Sequence, residues 1–237
     1  MSKLSVASGS KGNQPPSSAK AHLQHGYLVV YNAVQTIGWS LIFYQLISFY
    51  LGNGNKTLYD TVRCALNVFQ NAAILEVIHA ATGMIRSSAV MTAFQVASRV
   101  AVVCGVLLAT NSARTGLGLP LALIAWSVTE IIRYSNYTFN LVSTVPYFLK
   151  YLRYTTFIVL YPIGVTGELL CIWAAQKEVG DGRLYTIDMP NKYNFIFNYQ
   201  LLLWFMMLLY IPLFPQLYMY MFGQRRKALS PPKEKST

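Results

Sequence analysis

The strongest constraint on this chain is a series of apolar segments, each long enough to cross a lipid bilayer and separated by short polar gaps. A membrane-spanning helix needs about 20 mostly apolar residues. Six segments reach that length, at about 27–51, 61–84, 89–110, 117–141, 152–175 and 194–222. The gaps include sequences typical of turns, such as 52–55 (GNGN) and 180–182 (GDG). We therefore predict an all-α fold, a polytopic membrane bundle of six transmembrane helices.

Composition supports lipid as the surrounding medium. Hydrophobic residues make up 54% of the chain and charged residues 11%, whereas a soluble domain carries about 25% charged residues. A net charge of +11 could indicate nucleic-acid binding, but the positive residues lie mostly in tails and loops. We therefore expect a lipid bilayer as a partner and no nucleic acid.

The distribution of Lys and Arg predicts the orientation of the bundle. With six spans, both termini lie on one side, and that side carries eleven Lys and Arg residues against six on the other. Arg99 and Arg133 lie within spans. Because Lys and Arg are enriched in cytoplasmic loops, both termini are expected in the cytosol.

Three regions follow from this pattern. Residues 1–24 have no apolar run and are rich in Ser, Gly, Lys and Pro, so we expect a disordered cytosolic tail and no signal peptide. Residues 25–223 are the predicted six-span membrane domain, and 224–237 a basic cytosolic tail. The last five residues, 233–237 (KEKST), match a KxKxx-type retrieval signal, an address read by a receptor. The expected location is therefore the endoplasmic reticulum membrane.

Three acidic residues, Glu76, Glu130 and Glu168, fall inside the apolar segments. A charge near the centre of a bilayer costs roughly 2.5–3.5 kcal/mol, so each residue needs a partner or a function. Glu76 and His79 are three residues apart and share a helical face. This spacing favours a hydrogen-bond network between helices.

Two further spans carry polar stripes. Glu130, Arg133 and Tyr134 recur at helical spacing in the fourth span. They could form a structural ion pair or the wall of a pocket, and the sequence favours neither. In the third span, Gln95 and Arg99 lie one turn apart on an otherwise apolar helix.

The fifth span contains the pair of residues best suited to chemistry. Tyr161 and Glu168 are seven residues apart, so they point the same way with roughly 10 Å between them along the axis. That gap is too wide for a direct hydrogen bond but leaves room for a substrate. Pro162 can kink the helix, and Gly164 and Gly167 allow a close approach. Alternatively, the glycines serve helix packing and Glu168 pairs with an arginine of a neighbouring helix.

This segment resembles that of a known family, the very-long-chain (3R)-3-hydroxyacyl-CoA dehydratases, also called protein tyrosine phosphatase-like proteins. The resemblance covers about residues 27–225, and its most specific piece is Tyr161-Pro162-x-Gly164-x-x-x-Glu168. Shorter pieces support it: Glu76-x-x-His79, Gln95-x-x-x-Arg99, Trp126-Ser127, Glu130-x-x-Arg133-Tyr134 and Arg153.

The resemblance implies an enzyme of the fatty-acid elongation cycle that removes water from a (3R)-3-hydroxyacyl-CoA to give the trans-2-enoyl-CoA. The acyl-CoA substrate is one implied partner. The elongase condensing enzyme, the 3-ketoacyl-CoA reductase and the trans-2-enoyl-CoA reductase are others. It implies catalytic roles for Tyr161 and Glu168. It also implies substrate binding or structural support by Gln95, Arg99, Arg133, Tyr134, Arg153 and Gly164.

These residue types suit the elimination of water. The reaction needs a base for the proton next to the thioester and an acid for the departing hydroxyl. We assign Glu168 as the base and Tyr161 as the acid or hydroxyl-orienting donor, and the reverse assignment stays open. No metal or redox cofactor is needed. The acyl chain would lie in an apolar channel between helices, with the CoA phosphates near Lys150, Arg153 or Arg86.

Other classes fit less well. The sequence has neither the HxxHH box of elongase condensing enzymes nor the GxGxxG of a Rossmann-type reductase. It also lacks the internal repeat seen in many transporters. The alternative function is a non-enzymatic membrane scaffold of the endoplasmic reticulum, or a transporter of lipid-related cargo.

Overall fold

The computed structural model describes residues 18–52, 56–85 and 87–229, and these residues form a bundle of α-helices. An isolated bridge between Ile187 and Phe197 is the one β-type pairing among them. The all-α prediction is therefore confirmed. The helices are α1 (Ser18–Tyr50), α2 (Leu58–Ala72), α3 (Ile74–Ala81), α4 (Ala89–Val100), α5 (Ser112–Thr115), α6 (Gly118–Val142), α7 (Tyr147–Arg153), α8 (Phe157–Asp181) and α9 (Tyr199–Leu229).

Four helical stretches of the described residues are long and apolar enough to cross a membrane. They are Leu58–Ala81, Ala89–Leu107, Phe157–Asp181 and Tyr199–Leu229. The first contains α2 and α3, and the second contains α4 and the π-helix Ala101–Leu107 that continues it. Helices α1 and α6 also have the length, with 33 and 25 residues, but they are less apolar.

Helices α1 and α6 both carry buried polar side chains. They pack extensively against each other, and α6 also packs against α8. Asn32 and Gln35 of α1 are buried, as are Glu130 and Asn136 of α6. In a bilayer, polar groups must be satisfied within the protein. Helices α2, α3 and α8 also bury polar side chains, so several helices contribute to the polar interior of the bundle.

Glycines bring α6 and α8 into backbone contact. A Cβ atom on Gly167 of α8 would lie 2.5 Å from the backbone nitrogen of Ala122, and one on Gly118 of α6 would lie 2.7 Å from the carbonyl oxygen of Gly167. Any side chain at either glycine would push the helices apart. This close contact places the next residue of α8, Glu168, against Trp126 of α6.

Two helix boundaries differ from the predicted ones. Helix α1 begins at Ser18, inside the predicted tail 1–24, and α9 continues to Leu229, beyond the predicted end of the membrane domain at 223. The prediction placed these boundaries where apolar residues end. Good helix formers such as Ala, Leu, Gln, Arg and Lys continue past those points, so the helix outlasts the apolar segment. Residues 1–17 and the KxKxx motif at 233–237 lie outside the described residues.

Candidate active site

Glu168 lies in the interior of the bundle with hydrogen-bond donors on both carboxylate oxygens. The indole Nε1 of Trp126 donates to Oε1 at 2.9 Å, and the hydroxyl of Tyr210 donates to Oε2 at 2.5 Å. The donors come from α6 and α9, so three helices meet at this carboxylate. No ion pair within the described ranges includes Glu168. The alternative prediction that Glu168 pairs with an arginine is therefore wrong for the described residues.

Glu168 opens onto a cavity of about 340 Å³ between α4, α6, α8 and α9. Its wall is mostly apolar. The polar residues in the wall are Gln95, Ser98, Arg99, Thr129, Tyr161, Glu168 and Tyr210. The fold therefore brings five of the predicted site residues to one cavity: Gln95, Arg99, Tyr161, Gly164 and Glu168.

Tyr161 is held in the wall by aromatic stacking. Its ring lies nearly parallel to the ring of Phe214 at 5.5 Å and to that of Tyr218 at 6.1 Å, both on α9. No hydrogen bond joins its hydroxyl to Glu168, in agreement with the separation predicted from helical geometry. The two side chains line the same cavity two turns apart, so a substrate can lie between them.

Gly164 lies between Tyr161 and Glu168 on the cavity side of α8. A Cβ atom there would be 3.2 Å from the Cβ of Ala125 on α6. The absent side chain therefore keeps α8 close to α6 and also keeps the cavity open between the two polar residues.

Arg99 connects the cavity to a chain of buried ion pairs. It pairs with Glu130, whose second oxygen is 2.5 Å from Nη2 of Arg133. Nη1 of Arg133 in turn lies 2.9 Å from Glu76 of α3. We call these four residues the ion-pair chain. The sequence left open whether Glu130 and Arg133 form a structural ion pair or a pocket wall. In the structure they form an ion pair.

The remaining predicted residues lie away from the cavity. Tyr134 is fully buried beside the Arg133 guanidinium, which lies 4.7 Å from its ring centre. Arg153 of α7 donates to Asn136 at 2.7 Å and to the Tyr137 hydroxyl at 3.2 Å, both on α6. Neither Arg133, Tyr134 nor Arg153 is part of the cavity wall. Their contacts support the position of α6.

Tyr210 was missed by sequence reasoning. Helix α9 has no amphipathic pattern, so hydropathy does not indicate which of its residues face the interior of the bundle. One signal was present: Tyr210, Phe214 and Tyr218 recur every four residues, which places them on one stripe. That stripe faces Tyr161 and Glu168 of α8.

A buried carboxylate and two phenols around a cavity in a helical membrane bundle define a class of candidate acid–base enzymes. A family model described as "Protein tyrosine phosphatase-like protein, PTPLA" matches residues 70–231. The chain belongs to this family, which confirms the family predicted from the Tyr161–Glu168 segment.

Curated relatives cover most of the chain. Very-long-chain (3R)-3-hydroxyacyl-CoA dehydratase 2 of Mus musculus is 50% identical over 209 residues, 88% of this chain and 82% of that protein. Very-long-chain (3R)-3-hydroxyacyl-CoA dehydratase hpo-8 of Caenorhabditis elegans is 50% identical over 86% of this chain and 94% of its own length. PASTICCINO 2 of Arabidopsis thaliana, which carries the same dehydratase name, is 35% identical over 87% and 94%. No solved structure matches.

Proposed function

We propose that this protein is a very-long-chain (3R)-3-hydroxyacyl-CoA dehydratase, which removes water from its substrate to give the trans-2-enoyl-CoA. The observation that carries the proposal is that Tyr161 and Glu168 line one cavity inside the membrane bundle. The names of its relatives, at 35–50% identity over most of the chain, support the same activity.

The two residues divide the proton transfers of the elimination. Glu168 takes a proton from carbon 2, the electron pair of that C–H bond forms the double bond to carbon 3, and the carbon–oxygen bond breaks. Tyr161 gives its proton to the departing hydroxyl, which leaves as water. Transfer of the proton from Glu168 back to Tyr161 restores both groups. The reverse assignment, with Tyr161 as the base and Glu168 as the acid, transfers the same protons and stays open.

The partners of Glu168 suit a base. Trp126 and Tyr210 are neutral donors, so they fix the orientation of the carboxylate without neutralising its charge. Gln95 and Arg99 place N–H groups in the same cavity. These groups are positioned for the thioester oxygen, where negative charge develops as the proton leaves. Arg133, Tyr134 and Arg153 act as structural support.

The membrane setting extends this proposal. Helices α1 and α6 would be the two further spans, giving six in residues 25–223, with 1–24 and 224–237 as cytosolic tails. The excess of Lys and Arg on the side of the termini supports a cytosolic orientation. The KxKxx sequence supports the endoplasmic reticulum membrane.

The same orientation suggests where the other ligands meet the protein. The CoA phosphates would bind on the cytosolic face near Lys150, Arg153 or Arg86, the last of which lies outside the described residues. The condensing enzyme and the two reductases of the elongation cycle would be partners, because they supply the substrate and use the product.

The experiment that tests the function is an assay of the full chain in membranes with 3-hydroxypalmitoyl-CoA. Tyr161→Phe and Glu168→Gln are each expected to abolish dehydration while the protein level is kept. Tyr44→Phe, on the exposed surface of α1, is the matched control and should keep wild-type turnover. Near-wild-type turnover in both site variants would refute the site. A wild-type chain without activity would favour the scaffold or transporter.

A further inference from the structure

The acyl chain of the proposed substrate has to extend away from the reactive pair. In the proposed reaction the reacting carbons lie at Tyr161 and Glu168, in a cavity of about 340 Å³ whose wall is otherwise mostly apolar. The path of the remaining chain therefore depends on which side of the cavity is open.

One side of the cavity reaches the outer surface of the protein. Three residues of the cavity wall, Phe94, Ala97 and Leu209, are themselves exposed, with Phe94 at 46% and Leu209 at 37% of their full surface. All three are apolar. The reactive end is closed by comparison, since Glu168 is only 5% exposed. The cavity thus runs from a polar interior to an apolar rim.

This apolar rim of the cavity lies between helices α4 and α9, which do not close over it. Phe94 and Ala97 belong to α4, and Leu209 belongs to α9. Helix α4 packs mainly against α3, and α9 mainly against α8, so the described residues leave a seam between α4 and α9. Both helices belong to stretches with the length and composition of membrane spans. The medium outside this seam is therefore the hydrocarbon of the bilayer.

We propose that the seam between α4 and α9 is a lateral portal through which the acyl chain of the substrate extends into the bilayer. This inference rests on the proposed dehydratase function. The thioester and the first carbons lie at Tyr161 and Glu168, and the remaining chain passes Phe94, Ala97 and Leu209 into lipid.

The portal explains how one cavity accepts acyl chains of different lengths. The CoA ester rests in the membrane before it binds, so a methylene beyond the portal is in hydrocarbon both before and after binding. Such a methylene does not change the free energy of binding and contacts no residue of the cavity wall. KM should therefore stop changing with chain length once the chain reaches the portal, and no upper length limit is set by the cavity.

A narrowed portal tests this inference in the full chain. Leu209→Trp is expected to lower turnover of 3-hydroxypalmitoyl-CoA at least tenfold. Turnover of 3-hydroxyoctanoyl-CoA, whose chain is half as long and needs the portal less, should stay within twofold of the wild type. Leu208→Trp is the matched control, because Leu208 is the adjacent residue, is 59% exposed and is not part of the cavity wall. It should leave the ratio of the two activities unchanged.

A second measurement does not depend on turnover. A 3-hydroxypalmitoyl-CoA analogue with a diazirine in the middle of its chain should label peptides that contain Phe94, Ala97 or Leu209. Labelling confined to other helices, or an equal response of both chain lengths to Leu209→Trp, would overturn the portal. If the wild-type chain dehydrates no substrate, the proposed function fails, and the labelling pattern still decides where a chain binds.

Discussion

Glu130 and Glu168 are two glutamates with almost the same burial and opposite surroundings. Their exposures are 2% and 5%. Each has both carboxylate oxygens occupied, but Glu130 meets the cations Arg99 and Arg133, whereas Glu168 meets only neutral donors. Glu168 also faces the cavity, and Glu130 does not. The carboxylate paired with cations joins helices α4 and α6, whereas the one held only by neutral donors lies in the cavity wall, where a substrate can reach it.

The difference predicts different consequences of losing each carboxylate. Removal of one member of a buried ion pair leaves an uncompensated charge, which is strongly destabilising. Loss of the Glu168 charge leaves only neutral groups behind. The glutamine oxygen can accept from the Trp126 indole, and its amide nitrogen can donate to the Tyr210 hydroxyl oxygen. Glu130 variants should therefore fail in folding, and Glu168→Gln should fail in catalysis alone.

The largest effect on stability is expected for Glu130→Leu. This change leaves the guanidinium groups of Arg99 and Arg133 without their shared carboxylate, which should destabilise the protein by about 3–5 kcal/mol. The measurement is the Tm of the purified protein in detergent. Asp188→Leu is the control, because it breaks the exposed ion pair with Arg183 and should change stability by less than about 1 kcal/mol. Equal Tm values for the two variants would remove the distinction between the two glutamates.

A smaller effect, on catalysis, is expected for Tyr210→Phe. The variant keeps the ring but removes the 2.5 Å hydrogen bond to Glu168. The bond orients the carboxylate that takes the proton, so kcat should fall about 10- to 100-fold while KM stays close to wild type. Because a hydrogen bond to a charged group contributes about 1.5–3 kcal/mol to stability, a moderate decrease in Tm is also expected. Tyr220→Phe removes a hydroxyl from the exposed side of the same helix and is the control. Equal kcat in both variants would show that Tyr210 does not position the carboxylate.

The smallest effect is expected for Arg99→Lys, because Arg99 belongs both to the ion-pair chain and to the cavity wall. Arg99 pairs with Glu130 and lines the cavity, and its guanidinium lies 5.8 Å from the ring centre of Trp126. Lysine keeps the charge but loses the planar fork of donors. Folding should be nearly preserved while turnover falls about tenfold, a barrier change of about 1.4 kcal/mol.

The control for Arg99→Lys is Arg63→Lys, which alters an exposed pair with Asp60 and should change neither stability nor turnover. Unchanged turnover in Arg99→Lys would assign Arg99 to the ion-pair chain alone. A loss of folding as large as that of Glu130→Leu would instead show that the guanidinium geometry is required for the bundle.

Much of the fold was readable from the sequence because membrane helices obey local rules. Apolar runs predicted the all-α class, and four of the predicted spans have the length and composition that a bilayer requires. Helices α1 and α6, which cover the other two predicted spans, are not among these four, and both carry buried polar residues. Hydropathy reports a preference for lipid, so buried polar residues lower it even in a helix long enough to cross the bilayer.

The site was predictable only where its residues share a helix. Tyr161, Gly164 and Glu168 lie on one face of α8 because the α-helical repeat fixes their relative directions, and the sequence alone determined that they face the same way. Which residues meet Glu168 depended on the packing of α6 and α9 against α8, which no local spacing specifies. The tertiary structure therefore decided that Trp126 and Tyr210 hold this carboxylate, that Arg133 joins Glu76 to Glu130, and that a cavity separates Tyr161 from Glu168.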